Sequence, residues 1–279
     1  MSLDKRITSS DIAFFSEKGQ REKNEDSHYP NDGTSIKVNG LFMVCDGVGG
    51  FSKGGFASSI LCSSTSDYIS KRVDIGKTID ESSIRKSVAC AQEIFNTQSK
   101  EDPSFVDMAT TLTLVYLREN DVLLAHCGDS RIYHFRNKRK LFQTEDHSLV
   151  NWLVQRGDIQ KEEAISHDKK NVILKSISSK TKPDDVEIQT LTHVKTGDFI
   201  FLCSDGVIEA WDKEPDLSNL FEEGRNPKEI IQELKGKCSL ESNDNYTCIC
   251  LVLDVPPNST KSSLFCKIIS KIKNIIKPA

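Results

Sequence analysis

The sequence lacks the marks of several protein classes. Nowhere in its 279 residues do 18 apolar residues run together, so no membrane-spanning helix is encoded. The opening residues MSLDKRITSS hold no apolar stretch of the kind a secretory leader carries, and a cytoplasmic protein is expected. Nine cysteines are present without a single CxxC pair, which argues against a zinc ribbon or a disulfide framework. Cys45, Cys127, Cys203, Cys248 and Cys250 sit in apolar, strand-like runs, as reduced thiols acting as small hydrophobes do. The six histidines form no HExxH or similar cluster, and no cysteine opens a Cx5R nucleophile loop. Basic charge is also outweighed by acidic charge in most of the chain. Residues 258–279 carry five lysines and no acid, so the overall −4 leaves −9 on residues 1–257. A body this acidic gives no support to nucleic-acid binding, which leans on a basic footprint.

What is present describes a globular chain, 37% hydrophobic and 28% charged, long enough for one large domain or two small ones. Strand-like runs occur at 12–19, 40–47, up to three times within 110–138, and at 186–194, 198–206 and 246–255. Helical spacing of apolar residues covers 54–70, 84–95 and 227–237, the last introduced by Asn226 and Pro227 as cap and first-turn residue. A further helical excursion is expected over 148–177, with Ser148 as a cap. Strands and helices do not alternate regularly, which argues against a Rossmann or barrel architecture. Antiparallel sheets covered by helices fit better. No linker interrupts residues 1–255, so one domain is expected over 1–257, followed by a separate tail.

The chemistry gathers at strand ends. The stretch MVCDGVGG (43–50) stops an apolar run at Asp46 and then offers Gly47, Gly49 and Gly50. Glu25 and Asp26 follow the first strand, Asp129 separates two strands, Asp205 follows another, and Asp244 precedes the last. Singly, each is an ordinary turn residue. Jointly they call for one explanation, because carboxylates brought together repel unless protonated or neutralised, and a hard divalent cation neutralises them with oxygen ligands. Gly47 can lend a bare carbonyl beside Asp46. All-oxygen donors point to Mg2+ or Mn2+ rather than zinc. Two such ions about 4 Å apart, bridged by one carboxylate, are a common device for activating water against a phosphate ester. Arg21, four residues before Glu25, is suited to bidentate phosphate binding.

Seven segments in order then resemble the metal-dependent protein serine/threonine phosphatases of type 2C, in their bacterial branch. They are GQREKNEDS (19–27), VCDGVGG (44–50), ATTLTLVYL (109–117), HCGDSRIY (126–133), the stretch TEDHSLVNWLV…SI (144–177), GDFIFLCSDGV (197–207) and DNYTCICL (244–251). The resemblance implies an α+β fold, a four-layer α-β-β-α sandwich of two packed antiparallel sheets flanked by helices. It implies hydrolysis of phosphoserine and phosphothreonine by a metal-activated water, without a covalent intermediate. By position, Arg21 would bind phosphate and Asp46 would bridge two Mn2+ or Mg2+ ions. Glu25 and the Gly47 carbonyl would complete one ion's ligands with Asp26 close by, and Asp205 and Asp244 would complete the other's. Asp129 matches the acid that forms, with Asp205, a third and weaker site.

Two departures stand out. Val48 replaces the histidine that eukaryotic members carry after DG, so a proton donor there is missing; bacterial relatives usually have an apolar residue at this point. The segment 178–190 lacks the family's small glycine turn, and an effect on substrate selection is expected. The alternatives are a phosphatase-like binding or sensing module without catalysis, and a hydrolase for small phosphate esters. Expected partners are phosphorylated proteins, targets of Ser/Thr kinases, met by a monomer. Apolar residues from Leu264 to Ile276 recur every three or four positions with lysines mostly between them, a basic amphipathic pattern over 261–277. It is open to docking on its own domain, to contact with a membrane surface or partner, or to disorder.

Overall fold

The computed structural model describes residues 6–31, 38–48, 53–211 and 217–257. The chain opens with strands β1 (Thr8–Glu17), β2 (Ser27–Tyr29), β3 (Leu41–Cys45) and β4 (Gly47–Val48), then helices α1 (Lys53–Asp74) and α2 (Glu81–Glu101). Next come β5 (Ala109–Thr110), β6 (Leu112–Leu117), β7 (Val122–Cys127), β8 (Arg131–Arg136) and β9 (Arg139–Gln143). Helices α3 (Leu149–Arg156) and α4 (Lys161–Ser166) precede β10 (Ile177–Ser178), β11 (Glu187–Leu191) and β12 (Phe199–Cys203). Helices α5 (Asp205–Glu209) and α6 (Pro227–Glu241) and strand β13 (Tyr246–Asp254) complete the described chain.

Two five-stranded antiparallel sheets result, in the orders β1-β13-β12-β8-β9 and β11-β7-β6-β3-β2, with a small third sheet β10-β5-β4. The side-chain period of two then builds four layers. In β12, Phe199, Phe201 and Cys203 face α5 and α6, while Ile200 and Leu202 face the other sheet. In β3, Leu41, Met43 and Cys45 face α1 and α2, while Phe42 and Val44 point between the sheets. Central strands are therefore buried on both faces, which is why they read as unbroken apolar runs despite being antiparallel. Each fully buried Leu, Ile or Phe contributes about 1.5–3 kcal/mol. The expected α-β-β-α sandwich of two antiparallel sheets is borne out.

The helix signals also hold. Asn226 caps α6 by accepting from the Lys228 amide at 2.8 Å, with Pro227 in its first turn. Ser148 caps α3, accepting from the Asn151 amide. The excursion 148–177 is less helical than expected, with only α3 and α4 as short helices. Strand β9 has no counterpart in the sequence reading, because RKLFQ is a half-exposed edge whose charges break the alternation. The eight described cysteines are free thiols, and seven are buried. Residues 258–279, with the amphipathic pattern, and Gly49 and Gly50 lie outside the described residues.

At Asp46 the structure differs from a simple turn. The chain runs on from β3 into β4 and changes partner from β6 to β5. Thr111 sits opposite the kink and holds it. Its amide donates to the Asp46 carbonyl at 2.7 Å, and its Oγ1 accepts from the Asp46 amide at 2.9 Å. Thr110 adds a hydroxyl donor to the same carbonyl at 2.8 Å. An interruption between two strand pairs reads in sequence like a turn, since both strip a strand of its alternation.

Candidate active site

Strand register places the acids at one end of the sandwich. In the first sheet Glu17 pairs with Tyr246, Cys203 with Cys248, and Cys203 with Arg131. The end of β1, the start of β13, the end of β12 and the start of β8 are therefore level. In the second sheet Ser27 pairs with Cys45 and Leu112 with Cys127, which levels β2, β3, β6 and β7 in the same way. Arg21, Glu25 and Asp26 lie where the chain crosses from the first sheet to the second, and Asp129 where it crosses back. Asp46, Asp205 and Asp244 sit at the adjoining strand ends. The seam between the sheets thus collects the acids that sequence reading singled out.

Close packing holds them there. A Cβ on Gly47 would meet the Gly54 carbonyl carbon at 2.2 Å and the Glu25 carbonyl oxygen at 2.6 Å, so glycine lets α1 start against β4. A Cβ on Gly206 would meet the Asn245 carbonyl oxygen at 2.1 Å, which fixes glycine after Asp205. Asn245, without an assigned role in the sequence reading, staples the loop bearing Arg21 and Glu25. It accepts from the Glu25 amide at 2.9 Å and donates to the Lys18 and Lys23 carbonyls at 2.8 and 2.9 Å. Ser204 likewise donates to Asp26 Oδ2 at 2.9 Å. Such supporting groups leave little trace in sequence, because Asn before a strand and Ser before a helix are common turn and cap residues.

The electrostatics are those of a crowded anionic site. Burial raises the Asp26 carboxyl to about 7, with repulsion from Asp205 and Asp244 adding to it. Burial, then repulsion from Asp205 and Asp146, raises Asp129 to about 8. Burial and the Asp244 charge raise Asp205 to about 6. Asp46 is pushed well above the carboxylate range by lost hydration and by Asp26, Asp205 and Asp129. Moreover, Glu25 Oε1 and the Oδ1 atoms of Asp26, Asp129 and Asp205 are buried and have no hydrogen-bond partner among the described residues. Orphaned carboxylate oxygens in repelling company are what a hard cation satisfies, so the donor set fits a hard divalent metal ion.

Arg21 is more than half exposed, and its Nη2 lies 2.7 Å from Asp244 Oδ2. It borders a cavity of about 480 Å3, together with Asp129, Asp205 and Asp244. The opposite wall comes from α3, α4 and their neighbours, including Val150, Val154 and Lys161. No residue of 178–190 lines this cavity. That segment is tied to α2 instead, where Gln92 donates to the Ser178 and Thr181 carbonyls. Val48 is half-buried in β4 opposite Ala109. Elsewhere, His126, His147 and Glu187 bring one ligand atom each within 4.8 Å of one another, a group close enough to hold a metal ion. The group is not visible in the sequence because its members lie on separate parts of the fold.

Comparison with known proteins agrees with the geometry. The profile of the family described as Protein phosphatase 2C matches residues 17–229. Protein phosphatase PhpP of Streptococcus pneumoniae serotype 2 is 31% identical over 202 residues, which is 71% of this chain and 78% of that protein. The serine/threonine phosphatase PstP/Ppp of Mycobacterium tuberculosis superposes with a TM-score of 0.75 at 25% identity, covering 89% of this chain and 99% of the other. Serine/threonine phosphatase Stp1 from Staphylococcus aureus gives 0.71 at 28% identity, covering 87% and 94%. The acid-lined seam, the sandwich and these likenesses lead to one conclusion: the chain belongs to the protein phosphatase 2C family of metal-dependent serine/threonine phosphatases, in its bacterial branch.

Proposed function

We propose that this chain removes phosphate from phosphoserine and phosphothreonine in proteins by direct attack of water on phosphorus, with no phosphoenzyme. The observation that carries the reading is the convergence of six acids and Arg21 on one seam, with orphaned carboxylate oxygens beside a cavity. Two Mn2+ or Mg2+ ions are the proposed complement. Asp46 would span both, Glu25 and the Gly47 carbonyl would complete one position near Asp26, and Asp205 and Asp244 the other. Asp129 with Asp205 would form a third, weaker position. When bound, such ions polarise water and offset phosphoryl charge.

The chain's own groups do the rest. The buried aspartates shed their protons to accept cations, and Arg21 presents a planar fork of donors to phosphoryl oxygens. Val48 offers no proton, so the departing serine or threonine oxygen takes one from water. A non-catalytic sensing module has no need of the full acid set, and this chain carries every member of it. Phosphorylated targets of Ser/Thr kinases are the proposed substrates, met by a monomeric cytoplasmic enzyme. Residues 261–277 are proposed to add contact with an anionic membrane surface or a partner.

Phosphate release from phosphoserine, phosphothreonine and phosphotyrosine peptides in Mn2+ tests the reading. EDTA or Asp46→Asn is expected to cut the rate by about a hundredfold or more, the scale on which one electrostatic anchor acts. Activity that survives both would sink the mechanism. Strong preference for a small metabolite would overturn the protein substrate.

A further inference from the structure

His147 lies outside the ring of acids, yet its hydrogen bonds lead into it. The ring is nearly buried and stacks on His126 at 4.4 Å. The Gly128 amide donates to His147 Nδ1 at 3.1 Å, and the His147 amide donates back to the Gly128 carbonyl at 2.9 Å. Because Nδ1 accepts from a backbone N–H, the neutral ring carries its proton on Nε2. That proton points to Glu187 Oε1, 2.8 Å away on β11. Lys175 Nζ approaches the same oxygen at 3.7 Å.

The neighbouring residue completes the grip. Asp146 accepts from Arg131 Nε at 2.8 Å and from Nη2 at 2.7 Å. The adjacent pair Asp146–His147 therefore clamps both ends of the crossing Gly128–Asp129–Ser130–Arg131. Inside the clamp, Ser130 Oγ bonds Thr111 Oγ1 at 2.7 Å, and Asp129 keeps one oxygen without a partner among the described residues. The His147 carbonyl also accepts from the Leu174 amide at 2.7 Å, where the two ends of the α3–α4 excursion meet. One residue thus joins the base of the cavity wall to the peptide that precedes Asp129.

Proximity alone would allow His126, His147 and Glu187 to share a metal ion. A ligating histidine, however, donates from its other ring nitrogen. Here that nitrogen faces a donor. We propose that Glu187 and His147 are positioning residues: Glu187 fixes the His147 tautomer, and His147 fixes the Gly128 peptide that aims Asp129 at a cation. The inference rests on the metal role proposed for Asp129.

Mn2+ binding to the full chain, read directly from the free-ion electron paramagnetic resonance signal, tests it alongside thermal melting. In His147→Gln the acceptor at Nδ1 is lost, and the weakest class of sites is expected to loosen about tenfold or more, as metal-supporting groups do. His147→Asn places an amide oxygen near Nδ1 and is expected to restore most of that affinity, leaving a loss well short of about tenfold. Glu187→Ala, on a half-exposed residue, removes the acceptor of the Nε2 proton and should loosen the same class while the tighter sites keep their affinity. If Asp129→Asn removes the weak class while His147→Gln retains it, the positioning role fails and the metal role stands. If both variants retain it, the role of Asp129 fails too. Equal loosening of every class in both His147 variants, with a matching drop in melting temperature, would reduce His147 to a fold residue. Stoichiometric Zn2+ that is lost in His126→Ala would overturn the assignment.

Discussion

Asp26, Asp129 and Asp205 keep protons at pH values where aspartates in water have lost them. Their carboxyls stand at about 7, 8 and 6 because burial and mutual repulsion oppose ionisation. A folded-state value above the unfolded one stabilises the fold at low pH, and that contribution disappears as pH rises through the folded value. The metal-free protein is therefore expected to melt at progressively lower temperature from pH 5 to pH 8 in EDTA. A flat or rising melting temperature over that window would contradict the crowding. By the same crowding, Asp46→Asn is expected to melt no lower than wild type at pH 8 in EDTA, since a carboxyl crowded by Asp26, Asp205 and Asp129 is gone. Saturating Mn2+ should raise the melting point of wild type far more than that of this variant, as selective binding to the folded state requires.

Elements contribute at two ends of the first sheet, and the two ends separate function from stability. At the acid end, Gly206 opens α5 against the Asn245 carbonyl. Gly206→Ala is expected to displace Asp244 and Asn245 and to abolish Mn2+-dependent hydrolysis, measured per folded molecule. At the opposite end, Asp198 is buried before β12 and accepts from Arg136 Nε and Nη2, His134 Nε2 and the Lys195 amide. Burial alone would raise its carboxyl, but the Arg136 and His134 bonds outweigh burial and hold it below the usual range. Leaving a buried donor without its acceptor costs about 1–3 kcal/mol. Asp198→Ala should lose about that much in urea unfolding, while the folded fraction keeps its activity.

At the scale of the molecule, two sheets share one apolar layer and each backs onto helices, so the acid seam exists only when both sheets are docked. Neither sheet carries the full set of donors. The basic segment 258–279 is the one part proposed to act apart from this body. Deleting it is expected to leave peptide dephosphorylation unchanged and to remove binding to anionic vesicles in a sedimentation assay. Vesicle binding equal to that of the full chain would refute its proposed membrane role. Among the described residues no helix is long and apolar enough to cross a bilayer.

Sequence alone determined the strands with uninterrupted apolar runs, the helices around Leu61, Val88 and Leu234, and the acids beside strand ends, because burial and turn chemistry are local signals. It reached the family as well, through seven short segments whose order is itself information. It did not reveal the change of strand partner at Asp46, the edge strand β9, or the loop staple made by Asn245. Nor did it join His147 to Gly128 and Glu187. Those depend on which strand lies beside which, and residues far apart in sequence become neighbours only after two sheets have closed on each other. The chain encodes the acids one at a time; tertiary structure makes them a single site.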